Sequence, residues 1–246
     1  MSVRLDVRLT ELGVCESRTK AQELVKCGSV SVNGVTVLKP AFPVEEADTV
    51  CADTESLCPY VSRGGLKLKA ALDCFSLNVR GAVCIDIGAS TGGFTDCLLK
   101  GGASKVYAVD SGTSQLHPSL RRDERVRCME NTNARYITES DIGESVDIAV
   151  MDVSFISQTK LFPAIVSVLK DNGILISLIK PQFEVGKSGI GKGGIVKDTK
   201  LRERAVDIVL EMAKAYGLVC RGKMLSPIKG GDGNTEYLAI FELNKL

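Results

Sequence analysis

The sequence has no tryptophan, a single histidine and no Cys-X-X-Cys pair, although nine cysteines are spread over its 246 residues. Structural zinc sites need cysteine and histidine at short, regular spacings, so we expect no bound metal. An odd number of scattered cysteines is typical of free thiols in a reducing cytoplasm and argues against a disulfide framework. Lysine and arginine exceed aspartate and glutamate by one, so any nucleic-acid surface must be a local basic patch.

Long apolar segments are also missing. The stretch 173–179, GILISLI, is among the most apolar, but it has the length of a strand and falls well short of the ~20 residues of a membrane-spanning helix. Residues 1–12 are amphipathic and carry acidic as well as basic side chains, unlike a secretory signal. We therefore expect a cytoplasmic protein that does not contact membranes.

The chain is long enough for one full α/β domain and a small additional domain. Residues 55–66 contain a proline, a serine and paired glycines, a composition typical of a domain boundary. We expect a small domain over residues 1–58, a linker over 59–65 and a larger domain over 66–246.

The small domain has the pattern of two short helices followed by strands. Leucines at helical spacing predict the first helix, and Ser17 is placed to cap the second. Alternating valines around Asn33-Gly34 predict a tight β-hairpin, because this pair accepts positive φ angles. Such a small α+β domain suits docking better than catalysis.

The larger domain alternates strand-like apolar runs with helical segments from residue 82 onward, which predicts a doubly wound, mainly parallel sheet. Two closing runs, LVCRGKMLSP and TEYLAIFEL, predict a C-terminal hairpin. Polar residues stand at or just past four predicted strand ends, namely Asp86, Asp110, Asp152 and Lys180. Ligands bind at the carboxyl ends of parallel strands, so we expect these residues to border a crevice.

The first strand of this domain runs into the segment DIGASTGGF, with Ser90 and Thr91 between the glycines. Its glycine spacing is one residue longer than in the dinucleotide-binding pattern GxGxxG. We expect Gly88 to turn the chain sharply, and Gly92 and Gly93 to let the backbone approach a flat or uncharged ligand. The pattern favours S-adenosylmethionine and leaves NAD as the alternative.

Four further side chains are candidates for contact with this cofactor. Asp110 ends the second strand and is placed to accept both hydroxyls of a ribose. Asp86 either meets an amino group or braces the loop, and Asn133 either meets the adenosine or caps a loop. Phe94 either packs on the cofactor or belongs to the core.

Part of the small domain resembles a known RNA-binding module. Arg4-Leu5-Asp6, the run SRTKAQELVKCGSVSVNG and Lys39-Pro40 resemble the α-L RNA-binding domain of a ribosomal small-subunit protein, pseudouridine synthases and tyrosyl-tRNA synthetases. The resemblance implies a basic helical face that contacts RNA phosphates, whereas the alternative is ordinary solvated charges. The candidate RNA-binding residues, with one addition from the linker, are Arg4, Arg8, Arg18, Lys20, Lys26 and Arg63.

The larger domain resembles the FtsJ-like ribose 2′-O-methyltransferases in its segment DIGASTGGFTDCLL. With SRGGLKL, MDVSFIS, IKPQFEVGK and GNTEYL, the whole chain resembles the TlyA family, which joins the two domain types. The resemblance implies a Rossmann-like fold with a seven-stranded sheet and S-adenosylmethionine-dependent methylation of a cytidine 2′-hydroxyl in ribosomal RNA, with the large subunit favoured over both. The implied cofactor-binding residues are Asp86, Gly88, Ala89, Ser90, Thr91, Gly92, Gly93, Phe94, Asp110 and Asn133.

The same resemblance assigns a catalytic Lys-Asp-Lys-Glu tetrad to Lys67, Asp152, Lys180 and Glu236. A ribose 2′-hydroxyl is a very weak acid that must be held in line with the methyl group and must lose its proton. We expect Lys180 to orient the hydroxyl, with a role as base left open, and Asp152 to hold Lys180. Lys67 would give electrostatic support, and Glu236 would orient the lysines or the ribose.

Three alternatives remain open from the sequence. The first is a ribosome-associated RNA-binding protein without catalysis, and the second is a membrane-active haemolysin, as some TlyA relatives are described. The third is a dehydrogenase, which cofactor binding would distinguish at once. The sequence does not set the oligomeric state.

Overall fold

The apolar residues of the two parts of the chain pack into separate hydrophobic cores. The structure is a computed structural model that describes residues 2–26, 28–53, 58–186, 189–230 and 233–244. Its chain divides into two compact units, Met1–Cys58 and Pro59–Leu246. The segment 59–65, expected as a linker, falls within the second unit, whose first helix already begins at Gly64.

The first unit combines two helices with short strands. Its elements are β1 (Val3–Arg4), α1 (Leu5–Glu11), α2 (Arg18–Lys26), β2 (Val30–Val32), β3 (Val35–Thr36), β4 (Pro43–Val44) and β5 (Val50–Ala52). Leu5 and Leu9 of α1 pack against Leu24 of α2 and the valines of the strands. Asn33 and Gly34 have φ angles of 52° and 79°, so the predicted two-residue hairpin turn is confirmed.

The second unit contains six helices and seven strands among the described residues. They are α3 (Gly64–Cys74), β6 (Val83–Ile87), α4 (Gly93–Lys100), β7 (Lys105–Val109), α5 (Pro118–Arg121), β8 (Val126–Met129), α6 (Glu139–Ile142), β9 (Val146–Met151), α7 (Phe162–Val168), β10 (Leu169–Ile179), α8 (Thr199–Ala215), β11 (Leu218–Leu225) and β12 (Tyr237–Leu243).

These strands form one sheet in the order β11-β12-β10-β9-β6-β7-β8. Neighbours are parallel from β10 through β9, β6 and β7 to β8, whereas β12 runs antiparallel to both β10 and β11. The predicted seven-stranded, mainly parallel sheet with a C-terminal hairpin is therefore confirmed.

Helices cover both faces of the sheet, which is why its strands read as nearly continuous apolar runs. In β6, Ile85 and Ile87 point into the core that contains Phe162, while Cys84 points into the opposite core with Leu98. Across the described ranges, no helix combines the length and apolar character needed to cross a membrane.

The position of β6 sets the position of the site. β6 lies between its parallel neighbours β7 and β9. The chain continues from β6 to β7 and β8 on one side of the sheet, whereas β9 and β10 lie on the other side, so the order of the strands reverses at β6. Such a switch point leaves a crevice outside the carboxyl ends of the strands.

Candidate active site

A cavity of about 400 Å³ lies at the carboxyl ends of β6, β7 and β9. This size is within the usual range for a small-molecule site. Four of the predicted cofactor-binding residues line it, namely Gly88, Ser90, Asp110 and Asn133. Asp152 of the predicted tetrad also lines it, together with the segment from Val153 to Ile156 that follows β9.

Gly88 begins the turn that follows β6. Its φ of 84° is in the left-handed region, as the predicted sharp turn requires. A Cβ atom here would also collide with the carbonyl oxygen of Asp152. Glycine therefore lets the turn pass close to the end of β9 and brings the two sides of the cavity together.

The Asp110 carboxylate links this turn to the end of β7. Oδ2 accepts a hydrogen bond from Ser90 N at 2.8 Å, and Oδ1 accepts one from Gly112 N at 2.7 Å. These backbone donors fix the orientation of the carboxylate, while each oxygen keeps a second lone pair. The arrangement is compatible with two ribose hydroxyls at Asp110, as predicted from the sequence.

The loop after β7 is held by a second carboxylate that sequence reasoning missed. Glu130 accepts hydrogen bonds from Ser114 N at 2.8 Å, Gln115 N at 2.9 Å and Leu116 N at 3.1 Å. Arg121 donates to Glu130 Oε1 at 2.7 Å and, with these amides, lowers the pKa of Glu130 to about 2. Because Gln115 lines the cavity, Glu130 shapes the wall without touching it.

Gly92, Gly93 and Phe94 lie outside the cavity wall. A Cβ atom at Gly92, which has a φ of 94°, would collide with Leu120, and one at Gly93 would collide with Ser62. Phe94 is buried in the core beside α3. Packing within the chain thus accounts for these residue types, and their contact with a cofactor stays a prediction. The same holds for Ala89 and Thr91, which are also outside the wall.

Asp86 is fully buried in β6 and braces the start of α4. Its Oδ2 accepts hydrogen bonds from Thr95 N at 2.9 Å and Thr95 Oγ1 at 2.7 Å, whereas Oδ1 has no hydrogen-bond partner. Burial raises the pKa of Asp86 to about 7, with a smaller contribution from Asp152 and Asp110 and against the effect of Thr95. The bracing alternative describes this geometry, and contact with a cofactor amino group is untested.

Asn133 caps a loop, as one of its two sequence alternatives states, whereas its contact with the adenosine stays a prediction. Its side chain accepts a hydrogen bond from Arg135 N at 3.1 Å, which caps the short 3₁₀ turn over Ala134–Tyr136. The same residue lines the cavity. Among the described residues, no group of three or more histidine, cysteine or acidic side chains could hold a metal ion.

The predicted tetrad forms two ion pairs, with Lys67 contributed by α3 and the other three residues by adjacent strand ends. Lys180 Nζ lies 2.6 Å from Asp152 Oδ1, and Lys67 Nζ donates to Glu236 Oε2 at 2.6 Å. Ile179 pairs with Tyr237 in the antiparallel ladder, so Lys180 and Glu236 each lie one residue beyond the last pair. Asp152 follows β9, the parallel neighbour of β10. The fold thus gathers four polar side chains that are far apart in the sequence.

The two ion pairs differ in their burial and in their hydrogen bonding. The Lys67 and Glu236 side chains are 10% and 2% exposed, so this pair is buried. Lys180 donates its hydrogen bond to Ser154 Oγ at 2.8 Å, and its contact with Asp152 Oδ1 lacks hydrogen-bond geometry. Ser154 was not singled out from the sequence, although it stands in the same MDVSF segment.

Phe155 is the other feature of this segment that the sequence did not reveal. Its side chain is 92% exposed and its φ of 64° is in the left-handed region, which is unusual for a bulky residue. The ring lies 5.4 Å from that of Phe183, centroid to centroid, and Phe155 lines the cavity. An exposed aromatic ring beside Asp152 offers a face to a planar group.

Comparisons with known proteins identify the family of the chain. Residues 60–243 match the FtsJ-like methyltransferase family, and residues 3–50 match the S4 domain. The 16S/23S rRNA (cytidine-2'-O)-methyltransferase TlyA of Mycobacterium tuberculosis is 44% identical over 234 residues, which cover 95% of this chain and 87% of that protein. The chain belongs to the TlyA family of FtsJ-like methyltransferases.

Two further proteins that are similar to this chain are called hemolysins. Hemolysin A of Brachyspira hyodysenteriae is 43% identical over 240 residues, covering 97% of this chain and 99% of that protein. A solved structure of a putative hemolysin from Streptococcus thermophilus has a TM-score of 0.79 and 43% identity, and covers 99% of this chain and 89% of that one. The TlyA-family resemblance and the fold class predicted from the sequence are confirmed.

In the S4 unit of this TlyA-family chain, a buried acid holds two of the candidate RNA-binding arginines. Asp6 accepts from Arg4 Nη2 at 2.9 Å and from Arg18 Nε at 3.1 Å, and Gln22 adds a third contact at 2.8 Å. The Arg4 contact, followed by those of Gln22 and Arg18, keeps the pKa of Asp6 well below its usual range. Both guanidinium groups are therefore held in fixed positions.

The other candidate RNA-binding residues have simpler settings. Arg8 lies 3.5 Å from Glu11, Lys20 lies 2.6 Å from Glu16, and Lys26 ends α2. Arg63 precedes the first residue of α3 in the second unit. RNA binding by this set stays a prediction.

Proposed function

We propose that this chain transfers the methyl group of S-adenosylmethionine to the ribose 2′-hydroxyl of a cytidine in ribosomal RNA. The observation that carries the proposal is the pair of lysine–carboxylate contacts, Lys180 with Asp152 and Lys67 with Glu236, of which Asp152 lines the cavity. The name of the Mycobacterium tuberculosis relative supports the choice of cytidine and of ribosomal RNA. A ribosomal substrate implies work in the cytoplasm.

The cavity fits S-adenosylmethionine better than NAD. Its lining includes the carboxylates Asp110 and Asp152 and, among the described residues, neither lysine nor arginine. Two carboxylates favour the cationic sulfonium, whereas the pyrophosphate of a dinucleotide would meet like charge. Asp110 would hold the ribose hydroxyls and Asn133 the adenosine. When bound, S-adenosylmethionine supplies an electrophilic methyl group.

The lysines and carboxylates of the chain would act on the ribose. Lys180 Nζ, held by Ser154 and Asp152, would fix the 2′-hydroxyl oxygen in line for transfer. Lys180 would pass one of its own protons to the Asp152 carboxylate as it takes the proton of the hydroxyl, so that Asp152 is the final acceptor. Lys67 would stabilise negative charge on the oxygen, while Glu236 keeps Lys67 in place.

The substrate is expected to bind as exposed nucleotides. Arg4 and Arg18 of the first unit would contact phosphates, which position an RNA without reading its sequence. The exposed ring of Phe155 would stack on an unpaired base, as aromatic side chains do in single-stranded RNA recognition. We propose the large subunit as the substrate, with both subunits as the alternative, because the name of the Mycobacterium tuberculosis relative includes 16S as well as 23S rRNA.

The test is transfer of labelled methyl from S-adenosylmethionine to unmodified small and large ribosomal subunits, each assayed separately. The expected result is 2′-O-methylcytidine in large-subunit RNA, recognised by resistance to alkaline cleavage. Lys180→Ala should abolish it. Lys105→Ala is the matched control, because Lys105 also pairs with a carboxylate, Glu144, but at the amino end of its strand.

Label in small-subunit RNA as well would extend the substrate to both subunits. Measurable binding of S-adenosylmethionine without label on either subunit would contradict the proposal and favour a binding-only protein. Equal activity of Lys180→Ala and the wild type would overturn the assigned role of Lys180.

A further inference from the structure

The segment Asp152–Ser157 presents groups to the site but has no regular structure of its own. It starts at the end of β9, where Asp152 N donates to Ile87 O at 3.0 Å. It contains Phe155 with its left-handed φ, a conformation that persists for a non-glycine residue only where the surroundings hold it. The far end of the segment therefore needs an anchor.

Glu184 supplies that anchor from the loop after β10. Its Oε2 accepts a hydrogen bond from Ser157 Oγ at 2.6 Å, and its Oε1 accepts one from Gln158 N at 3.0 Å. Burial raises the pKa of Glu184, and these donors oppose that rise. Glu184 is not part of the cavity lining, so it acts through the residues that it holds.

A second contact anchors the same end of the segment to the sheet. The buried amide oxygen of Gln158 accepts a hydrogen bond from Ser177 Oγ, which is buried in β10. Ser177 stands in β10, three residues before Lys180, which directly follows this strand. Gln158 is thus tied through its backbone to Glu184 and through its side chain to the strand that leads into Lys180.

We propose that Glu184 is a positioning residue: it holds the segment Asp152–Ser157 so that Ser154 meets Lys180 and the Phe155 ring stays at the cavity. This inference rests on the proposed methyl transfer. Besides the ion pair of Asp152 with Lys180, three contacts join the segment to the residues after β10, namely Ser154 with Lys180, Phe155 with Phe183, and Ser157 with Glu184. Along the segment, the contact made by Glu184 is the last one and lies furthest from the end of β9.

Hydrogen bonding, rather than charge, is the property of Glu184 that the geometry uses. Ser157 Oγ also lies 2.7 Å from Thr159 Oγ1, so its hydrogen can point to either partner. A glutamine at position 184 would accept from Gln158 N with its oxygen and donate to Ser157 Oγ with its amide group. Glu184→Gln therefore keeps both contacts, whereas Glu184→Ala loses both.

The kinetic test compares Glu184→Ala, Glu184→Gln and Ser157→Ala with the wild type on the ribosomal substrate. We expect Glu184→Ala to lower kcat by about tenfold to a hundredfold, because small displacements of reacting groups are costly. Glu184→Gln should stay within about threefold of the wild type, with Ser157→Ala in between. The control is Glu144→Ala, which removes a carboxylate that also accepts from a hydroxyl, Tyr107 Oη at 2.8 Å, and that precedes β9 on the amino side of the strand.

A reporter that does not depend on activity completes the test. The chain has no tryptophan, so Phe155→Trp gives a single emitter in the segment. In that background, Glu184→Ala should lower the fluorescence anisotropy and increase quenching by acrylamide, while Glu184→Gln and Glu144→Ala should not. If Glu184→Ala fails to fold, the partial loss of kcat expected for Ser157→Ala serves as the test instead.

The outcomes separate the two proposals. No methyl transfer by the wild type would refute the proposed function, whatever the reporter shows. Transfer by the wild type with unchanged kcat and unchanged anisotropy in Glu184→Ala would refute the role of Glu184 alone. Loss of kcat in Glu184→Gln equal to that in Glu184→Ala would also refute it, since charge would then be the property required.

Discussion

The residues on the two sides of the cavity are held by different kinds of contact. On one side, called the cofactor side after its proposed role, which comprises the turn after β6 and the loop after β7, the carboxylates of Asp110 and Glu130 accept hydrogen bonds from backbone amides. On the other side, called the catalytic side after its proposed role, at the ends of β9, β10 and β12, the carboxylates of Asp152 and Glu236 contact lysine side chains. Backbone donors cannot rotate away, whereas lysines can reorient and exchange protons. The first side is therefore suited to holding a ligand and the second to acting on one.

This difference implies that the two sides can be impaired separately. Changes on the cofactor side should weaken binding of S-adenosylmethionine and spare turnover once it is saturating. Changes on the catalytic side should reduce turnover and spare cofactor affinity.

The largest effect is expected for Lys67→Met, on the catalytic side. Loss of the ammonium should reduce kcat by about a hundredfold or more. It also leaves Glu236 as a buried unpaired charge, which costs about 3–5 kcal/mol of folding stability. Steady-state kinetics and thermal melting measure the two effects.

Two controls separate the loss of stability from the loss of chemistry. Lys67→Met combined with Glu236→Leu removes both charges, so it should recover stability but not turnover. Lys69→Met changes an exposed lysine paired with Asp73 and should behave like the wild type. Equal losses from Lys67→Met and Lys69→Met would contradict the assigned role.

The next effect is expected for Asp110→Asn, on the cofactor side. Loss of the carboxylate should raise the Kd of S-adenosylmethionine by about tenfold to a hundredfold, since hydrogen bonds to a charged group contribute about 1.5–3 kcal/mol. Titration calorimetry measures this change, and kcat at saturating cofactor should stay close to that of the wild type. Asp123→Asn, which also removes contacts to a backbone amide and an arginine, is the control. An unchanged Kd in Asp110→Asn would be inconsistent with its ribose-binding role.

Asp86 is the exception on the cofactor side, because its Oδ1 lacks a partner. With its pKa raised to about 7, its neutral form stabilises the fold below the unfolded-state pKa of about 4, and this stability is lost as pH rises through 7. Between pH 5 and pH 7 the loss is about 1.4 kcal/mol per pH unit. Asp86→Asn cannot ionise, so the fall in melting temperature from pH 5 to pH 8 should be smaller than in the wild type. An identical fall in both proteins would show that Asp86 does not titrate in this range.

The smallest effect is expected for Glu130→Gln. The glutamine has one acceptor oxygen fewer for the amides of Ser114 to Leu116, so the loop should be less well ordered and the Kd of S-adenosylmethionine about threefold to tenfold higher. With its pKa lowered to about 2, Glu130 contributes stability above about pH 4.5, and this is lost only as pH falls towards 2. Its substitution should therefore leave the pH dependence between 5 and 8 unchanged, in contrast to Asp86→Asn. A smaller fall in melting temperature from pH 5 to pH 8 in Glu130→Gln than in the wild type would conflict with this interpretation.

Local patterns in the sequence predict the framework of the site. Strand-end positions of Asp110, Asp152 and Lys180, the sharp turn at Gly88 and the hairpin at Asn33-Gly34 all follow from short-range periodicity and turn chemistry. Helical spacing alone does not choose between Lys67 and Lys69, and the family resemblance was needed for that.

Other features depend on contacts between distant segments and could not be predicted. Glu130 and Glu184 are ordinary acids in the sequence, and their roles arise from loops that the fold brings to them. The exposure and backbone conformation of Phe155 are likewise set by the surrounding loops. The close packing of Gly92 against Leu120 and of Gly93 against Ser62 also joins segments that are distant in the sequence.

The separation of the two sides is tested most directly by a single turnover on large ribosomal subunits with saturating S-adenosylmethionine. The wild type, Asp110→Asn and Lys180→Ala are compared, with cofactor affinity measured for each by calorimetry. The account predicts that Asp110→Asn transfers methyl at a rate close to that of the wild type, while Lys180→Ala binds the cofactor normally and transfers none. Equal loss of transfer in both variants, or normal transfer by Lys180→Ala, would contradict it.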